Sequence, residues 1–376
     1  MRRVIIFLLV GVFAAVSGAE DDPVIGEKPL SELIKQLRSE NRGLQMRASK
    51  ALVEAPAELK PAIAPKVMPL LKSERENDKF VAAQVLGECG PVARPAVPDL
   101  VPMLKGTQYE RNRAAAAKAL GQILKDAKPD KEVEDVADAL ITKLNEDYDS
   151  YSDVRREAMY AIGMIGPAAK KTIPKFTKGL TDYREYSNEH QMVRRASAWA
   201  CGRMGPLAAE HMDRLIAMLN GEGGDVPEIM EAIGCIGAVN ENVVPNLVDK
   251  LSADTEWSPI CWRLQTYEAL RKFGPKAALA VPVVARLLRS GKVHYAHVPA
   301  ALRVFESVGP AGKEALPVLE SFKTVKEYRG GSKEWNDNPS AQQMENIRKT
   351  AKDVAEALAG QKPPAAATED PAKKAP

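Results

Sequence analysis

VRREAMYAIGMIGP, at residues 154–167, is the stretch that decides the fold, because related stretches recur along the chain. Ala158 and Ala161 lie three residues apart on one face of a helix, and their small side chains let a neighbouring helix approach closely. Gly166 allows a left-handed helix cap, and Pro167 prevents the helix from continuing. The stretch therefore predicts a helix with one close-packed face and a defined end.

Positions equivalent to Ala161 recur at intervals of 32 to 50 residues, and we call them anchors. They are Ala51, Val85, Ala119, Ala161, Ala200, Ala232, Ala269, Val304 and Val354. Before each anchor helix comes a second helix with leucines at helical spacing, as in residues 29–37 and 98–104. Periods in this range are typical of helical solenoids, in which neighbouring units bury one another's apolar sides. We predict an all-α solenoid of about nine stacked antiparallel helical hairpins over residues 29–360.

Residues 154–167 and 193–206 resemble the core of a HEAT repeat. The resemblance covers nearly the whole chain after its first 28 residues and implies a HEAT/armadillo-like superhelix. Two hairpins depart from the pattern: residues 124–125 read Leu-Lys and residues 237–238 read Gly-Ala where Gly-Pro is usual, and Val226 replaces the usual Arg. The register of these two hairpins is open at the level of sequence.

Residues 1–19 have the pattern of a secretory signal peptide. Arg2 and Arg3 precede an apolar run at residues 4–16, and residues 17–19 are small. That run is short for a membrane span, although an uncleaved anchor is the alternative. We expect an exported protein, periplasmic or secreted.

Two further segments flank the predicted solenoid. Residues 20–28 are expected to form a loose leader, and residues 361–376 are rich in Pro, Ala and Lys and are expected to be disordered. No other apolar stretch is long enough to cross a membrane, so the mature chain is predicted to have no span.

The charge of the chain is nearly balanced. With 53 basic and 50 acidic residues the formal net charge is +3, and loss of residues 1–19, which hold two Arg and no acid, leaves +1. A protein that neutralises many phosphates usually carries a basic excess. The balance therefore argues against a nucleic-acid partner.

A basic residue recurs six positions before the anchor in most hairpins, and we call this set the basic ladder. It consists of Lys79, Arg113, Arg155, Arg194, Arg263 and Arg348. One interpretation is a cationic face for an acidic ligand. The favoured interpretation is structural, with each side chain pairing carboxylates or capping carbonyls between adjacent repeats.

Aromatic residues concentrate in the loops between the two helices of the hairpins, and we call this set the aromatic rim. It consists of Tyr109, Tyr148, Tyr151, Tyr183, Tyr186, Trp257, Tyr328 and Trp335. Stacking places such loops on one side of a solenoid, and Tyr and Trp are favoured at binding hot spots. The alternative is that the rings fold back over helix ends.

Patterns for catalysis are weak in this sequence. His294 and His297 are spaced to share a metal, but no third ligand lies close by in sequence, and no nucleophile or phosphate-binding motif is present. Four Cys do not make a disulfide framework, although a Cys201–Cys235 bridge is an alternative. We predict no catalytic residues, no metal site and no cofactor.

The leading functional hypothesis is a non-enzymatic scaffold that binds a protein partner through its concave face or the aromatic rim. A bilin-lyase-like or other small-ligand-handling protein is one alternative, because HEAT-like repeats of this type are similar to those of bilin-attaching lyases. A nucleic-acid-binding helical-repeat protein is the other. The oligomeric state is open.

Overall fold

The computed structural model describes residues 22–106, 109–145, 152–182, 188–222, 227–237, 240–252, 260–328 and 338–360. Over these residues the chain is a succession of α-helices, which confirms the predicted all-α solenoid. The helices are α1 (Leu30–Leu37), α2 (Arg42–Val53), α3 (Lys60–Val67), α4 (Glu76–Cys89), α5 (Val97–Lys105), α6 (Glu110–Ile123), α7 (Lys131–Asn145), α8 (Ser152–Ile165), α9 (Phe176–Leu180), α10 (Asn188–Met204), α11 (Met212–Ala217), α12 (Pro227–Ile236), α13 (Val243–Ser252), α14 (Ile260–Phe273), α15 (Val281–Arg289), α16 (Val298–Ser307), α17 (Leu316–Lys323) and α18 (Ala341–Gly360). Each odd-numbered helix pairs with the even-numbered helix that follows it, and the even-numbered helices carry the anchors.

Glycine makes the even-numbered helices pack unusually closely. The residue two positions after an anchor is Gly in five successive hairpins, and it faces the anchor of the next hairpin. A Cβ added at Gly121 would lie 2.5 Å from the Cα of Ala161, and one added at Gly202 would lie 3.0 Å from the Cα of Ala232. The same relation holds for the pairs Gly87–Ala119, Gly163–Ala200 and Gly234–Ala269. Backbone therefore packs directly on backbone along this layer.

The two helical layers differ in spacing. Neighbouring even-numbered helices contact one another extensively, whereas neighbouring odd-numbered helices touch only locally. The more closely spaced layer of a stack lies on the inside of its curve. We call the solvent-facing side of the even-numbered helices the inner surface.

The predicted Gly-Pro stops end their helices as expected. The glycines five positions after the anchors adopt φ values of +58° to +72°, the left-handed conformation that glycine tolerates best. A short 3₁₀ helix begins at each Gly-Pro pair, for example Gly90–Ala96 and Gly205–His211, and leads into the next odd-numbered helix.

In the two hairpins whose register could not be fixed from the sequence, the even-numbered helix is also followed by a residue in the left-handed conformation. In the sixth hairpin, Gly237 follows α12 with φ +65° at the usual position. In the third, Asp126 takes φ +52° two residues later than usual, and its backbone N–H donates to the carbonyl of Met164 at 2.9 Å. The Asp126 carboxylate also accepts a bond from Arg203 at 2.5 Å, so residues of the fourth and fifth hairpins stabilise this strained residue.

The prediction of a loose leader at residues 20–28 is wrong over its described part. Val24–Ile25 and Lys28–Pro29 form an antiparallel pair of two-residue strands, β1 and β2, joined by a turn at Gly26. Ile25 is buried against the first hairpin, and the carboxylate of Asp22 accepts bonds from the backbone and hydroxyl of Ser31. The segment is ordered because it covers the exposed end of the stack.

Other sequence predictions about the termini remain untested. Residues 1–19 and 361–376 lie outside the described residues. Among the described helices, none combines the length and apolar character that crossing a bilayer requires.

Candidate binding surface

The basic ladder is built into the repeat junctions. The side chains of Arg155 and Asp182 are almost completely buried, and Arg155 Nε lies 2.7 Å from the Asp182 carboxylate. Asp182 follows α9, in the next hairpin, and its backbone carbonyl accepts a 2.7 Å bond from Arg194 Nη1. Two ladder arginines therefore hold one aspartate between the fourth and fifth hairpins.

Two of the remaining ladder residues also donate to backbone carbonyls. Arg263 donates to the carbonyl of Lys292, and Arg348 donates to that of Val325 while its guanidinium pairs with Glu345 at 2.7 Å. These carbonyls lie just beyond the ends of odd-numbered helices, where intrahelical partners are lacking. Lys79 pairs with Glu76 at 2.7 Å, and Arg113 is buried. Arg155 and Arg263 therefore connect one hairpin to the next, in keeping with the structural interpretation. Arg194 and Arg348 connect the two helices of their own hairpins, and the Lys79 ion pair lies within α4.

The aromatic rim is only partly within the described residues. Tyr109 is exposed at the start of α6, beside a surface cavity lined by Lys72, Glu76, Met103 and neighbouring residues. Tyr148, Tyr151, Tyr183, Tyr186, Trp257 and Trp335 lie outside the described residues. The rim therefore remains a prediction at these six positions.

Tyr328 does not belong to an exposed rim, which corrects the prediction for this residue. Its side chain is buried, its ring packs 5.4 Å from that of Phe322, and its hydroxyl donates to the carbonyl of Val293 at 2.8 Å. Burial raises the pKa of this hydroxyl. Here the ring folds back over helix ends, which was the alternative.

Three histidines, His211, His294 and His297, have structural surroundings. His294 Nδ1 accepts from the backbone N–H of Ala296 and so caps a short 3₁₀ helix, and the His297 ring lies 5.7 Å from it, largely buried. His211 is buried with Nε2 2.8 Å from the carbonyl of Ile173. Within the described part of the chain, no three metal-binding side chains come together.

His297 should make stability depend on pH. Burial, with His294 and Arg263 nearby, lowers the His297 pKa from about 6.5 to about 4. Since the unfolded chain then binds a proton more readily than the folded chain, the stability that neutral His297 contributes is lost as pH falls from about 6.5 to about 4. The loss is expected to reach at most about 3 kcal/mol. Urea unfolding of wild type and His297→Gln from pH 7 to pH 4 measures it, and parallel curves would contradict the assignment.

The described cysteines are free thiols. Cys201 is completely buried and Cys235 is partly exposed beside Lys272, whose Nζ lies 3.0 Å from its sulfur. The Cys201–Cys235 bridge considered from sequence is therefore absent from this structure. Burial raises the pKa of Cys201, as expected for a small apolar core residue.

A groove of about 800 Å³ opens on the inner surface at α2, α4, α6 and α8. Met46 on α2, with 61% of its surface exposed, and Phe80 on α4 supply the large apolar side chains of this groove. The guanidinium of Arg111 lies over the Phe80 ring, 4.1 Å from its centroid. Alanines at positions 83, 114 and 115 keep the floor shallow. The geometry leaves room for an extended segment of another molecule.

Aromatic residues continue along the inner surface beyond the groove. The rings of Tyr160 on α8 and Trp199 on α10 meet edge to face at 5.5 Å, and the Arg203 guanidinium lies 5.9 Å from the Trp199 ring. Arg195 pairs with Glu228 of the next even-numbered helix at 2.6 Å. The inner surface thus alternates apolar rings with charged groups.

Sequence reasoning missed these inner-surface residues. Met46 and Phe80 each precede an anchor by five positions, and Tyr160 and Trp199 each precede an anchor by one. The repeat alignment contained the information needed to find them, because residues at the same position relative to the anchor lie on the same face of their helices. Most of the Tyr and Trp cluster in the loops, so the pattern on the helices was less conspicuous.

The buried carboxylates of the described residues have structural partners. Asp182 pairs with Arg155, and Asp78 accepts bonds from Gln45, Ser73 and Arg75. Each links a helix end to a neighbouring element. Both buried carboxylates therefore stabilise the repeat packing.

Comparison with known proteins identifies the fold. No protein-family profile and no curated protein sequence matches the chain. Its structure is similar to a crystal structure of importin beta (TM-score 0.63, 14% identity, covering 88% of this chain and 46% of that one) and to Kap121p bound to Pho4p (0.58, 14%, 91% and 39%). It is also similar to an engineered protein (0.53, 18%, 89% of both chains).

These similarities concern architecture. The chain spans less than half the length of the importin beta and Kap121p chains. At such low identities the shared feature is the fold, a helical-repeat solenoid, in agreement with the HEAT-like pattern of the sequence.

Proposed function

We propose that this protein is an exported, non-enzymatic scaffold that binds another protein along the inner surface of its helical stack. The observation that carries the proposal is the open groove at α2–α8, where Met46 and Phe80 present apolar surface among charged side chains. A protein-binding site usually has large apolar side chains at its centre and polar groups around them. The structurally similar Kap121p has been crystallised with a bound protein, Pho4p, which is in keeping with such use of the fold.

Export is the second part of the proposal and rests on residues 1–19. The charged start, short apolar run and small residues that follow are those of a cleaved signal peptide. The partner is then a periplasmic or secreted protein. Mass spectrometry of the mature chain from the source organism tests this part, with a new N-terminus near Glu20 as the expected result.

Capture experiments with matched variants test the groove. Tagged wild-type protein is incubated with an envelope or culture-medium fraction, beside Met46→Glu in the groove and Leu207→Glu away from it. Leu207 is a suitable control because its side chain is also half exposed. We expect Met46→Glu to lose the captured protein and Leu207→Glu to retain it. Equal capture by both variants would contradict the use of this groove.

The aromatic rim is a second proposed contact region. Replacing Tyr183, Tyr186 and Trp257 by Ala is expected to leave helicity unchanged and to weaken partner capture about tenfold or more, because such side chains are frequent hot spots. Circular dichroism and quantitative capture measure the two effects. Undiminished capture by the triple variant would remove the rim from the proposal.

A further inference from the structure

The inner-surface groove has a charge pattern that selects among protein partners. We infer that it binds an acidic segment of the partner in which carboxylates flank a large apolar side chain. The inference rests on the proposed function and specifies the chemistry of the partner. It follows from the placement of cations, anions and apolar groups around Met46 and Phe80.

Cations border the apolar centre on two sides. Arg42 and Arg111 lie in the first turns of α2 and α6, where the partial positive charge of a helix N-terminus adds to their own. Lys50 and Lys118 lie two turns further along the same helices. The side chains are exposed, and all four residues line the groove. Carboxylates placed beside an apolar residue at Met46 and Phe80 would meet these cations.

Most of these cations lack a strong carboxylate partner within the described chain. Arg42 and Lys118 form no ion pair there, and Lys50 pairs only loosely with exposed Glu54, at 3.8 Å. Arg111 donates to the side-chain oxygen of Asn77 at 2.5 Å and covers Phe80, so its charge is oriented but not neutralised. An incoming carboxylate would therefore gain charge-assisted bonds without displacing an internal anion.

The anions of the groove are largely occupied or peripheral. Asp153 and Glu157, on α8, pair with Arg156 at 2.6 Å and 2.9 Å. Glu88 accepts a bond from Gln122 at 2.7 Å, and Glu110 lies at the N-terminus of α6, where the helix dipole favours a negative charge. The cations near Met46 and Phe80 thus remain available to a ligand.

The same anions favour a protein over a nucleic acid. A continuous polyphosphate laid along the groove would run past Glu88 and Glu110, which form no ion pair within the described chain and which repel it. A protein segment can place its carboxylates at the cations alone and an apolar side chain between them. Mixed charge with an apolar centre therefore fits an acidic, apolar-containing peptide.

Three peptides of equal length test the inference on the full mature chain. Each is fluorescently labelled and carries one central Phe, flanked by Asp and Glu, by Ser and Gln, or by Lys and Arg. Fluorescence anisotropy at low and high salt gives the affinities. We expect the acidic peptide to bind at least tenfold more tightly than the other two, with an advantage that shrinks in high salt.

Two charge-reversal variants, placed at the same repeat position in different hairpins, provide a matched control. Lys118 and Arg303 both precede an anchor by one residue and are exposed, but only Lys118 lines the groove. Lys118→Glu should weaken the acidic peptide at least fivefold, while Arg303→Glu should change its affinity less than twofold. Circular dichroism confirms that both variants are folded.

The outcomes separate the inference from the proposed function. Equal binding of all three peptides, preference for the basic peptide, or tighter binding of a single-stranded oligonucleotide would overturn the inference. If one of these results is found but the capture of a native partner still depends on the groove, the proposed function is supported and only the inference is wrong. Failure of both peptide binding and groove-dependent capture would overturn both.

Discussion

Replacing Gly121 by Val should unfold the junction between the third and fourth hairpins. The first atom of the new side chain would lie 2.5 Å from the Cα and 2.7 Å from the Cβ of Ala161. Both atoms belong to a rigid helix, so α6 and α8 must separate, and the contacts of both with their neighbours are lost. Overpacking usually costs about 1–3 kcal/mol, and a clash with backbone is expected to exceed that range.

Chemical denaturation with a glycine control measures this effect. A Cβ added at Gly360, at the end of α18, would meet no atom within 4 Å, so Gly360→Val should change the free energy of unfolding by less than about 1 kcal/mol. Gly121→Val is expected to lower the denaturation midpoint strongly or to prevent folding. Equal midpoints for the two variants would show that the even-numbered helices are not in backbone contact.

Removing the carboxylate of Asp182 is expected to cost about 3–5 kcal/mol, because it removes an anion that pairs directly with a buried guanidinium. Arg155 has no solvent exposure, and its Nε lies 2.7 Å from that carboxylate. Asp182→Ala should therefore lower the free energy of unfolding far more than Asp135→Ala, which removes only the exposed ion pair with Lys131. Surface pairs of that kind contribute about 0–1 kcal/mol.

A double variant separates the charge from the packing. Arg155→Met combined with Asp182→Leu removes both charges of the buried pair, so this double variant should be more stable than Asp182→Ala alone. Urea unfolding of the wild type and these variants gives the free energy of unfolding of each. A cost for Asp182→Ala as small as that for Asp135→Ala would contradict the assignment of this pair as a buried junction.

The fold was predictable because its determinants repeat. Small residues at the anchors and glycine five positions later recur often enough to outweigh local departures. The positive φ of Asp126 could not be foreseen, since it depends on bonds to Met164 of the fourth hairpin and Arg203 of the fifth. The hairpin at residues 22–29 was missed because two-residue strands carry no periodicity.

The binding surface was less predictable than the fold. Four residues of the basic ladder make contacts of the kind that the structural interpretation predicted, since a residue type tied to the repeat pattern serves the repeat. Tyr328 was misplaced because sequence distance from a helix does not reveal whether a ring turns inward. The groove requires knowing which helix faces lie side by side, as Met46 and Phe80 are 34 residues apart yet line one cavity.

Site-specific photo-crosslinking tests the central claim that the inner surface binds a protein. A photoreactive phenylalanine analogue is placed at Phe80 in the groove or at Leu279, an exposed residue that does not line the groove. Each variant is illuminated in an envelope extract of the source organism. We expect a discrete protein adduct from position 80 that position 279 does not give. Identical patterns from the two positions, or adducts at position 279 alone, would contradict it.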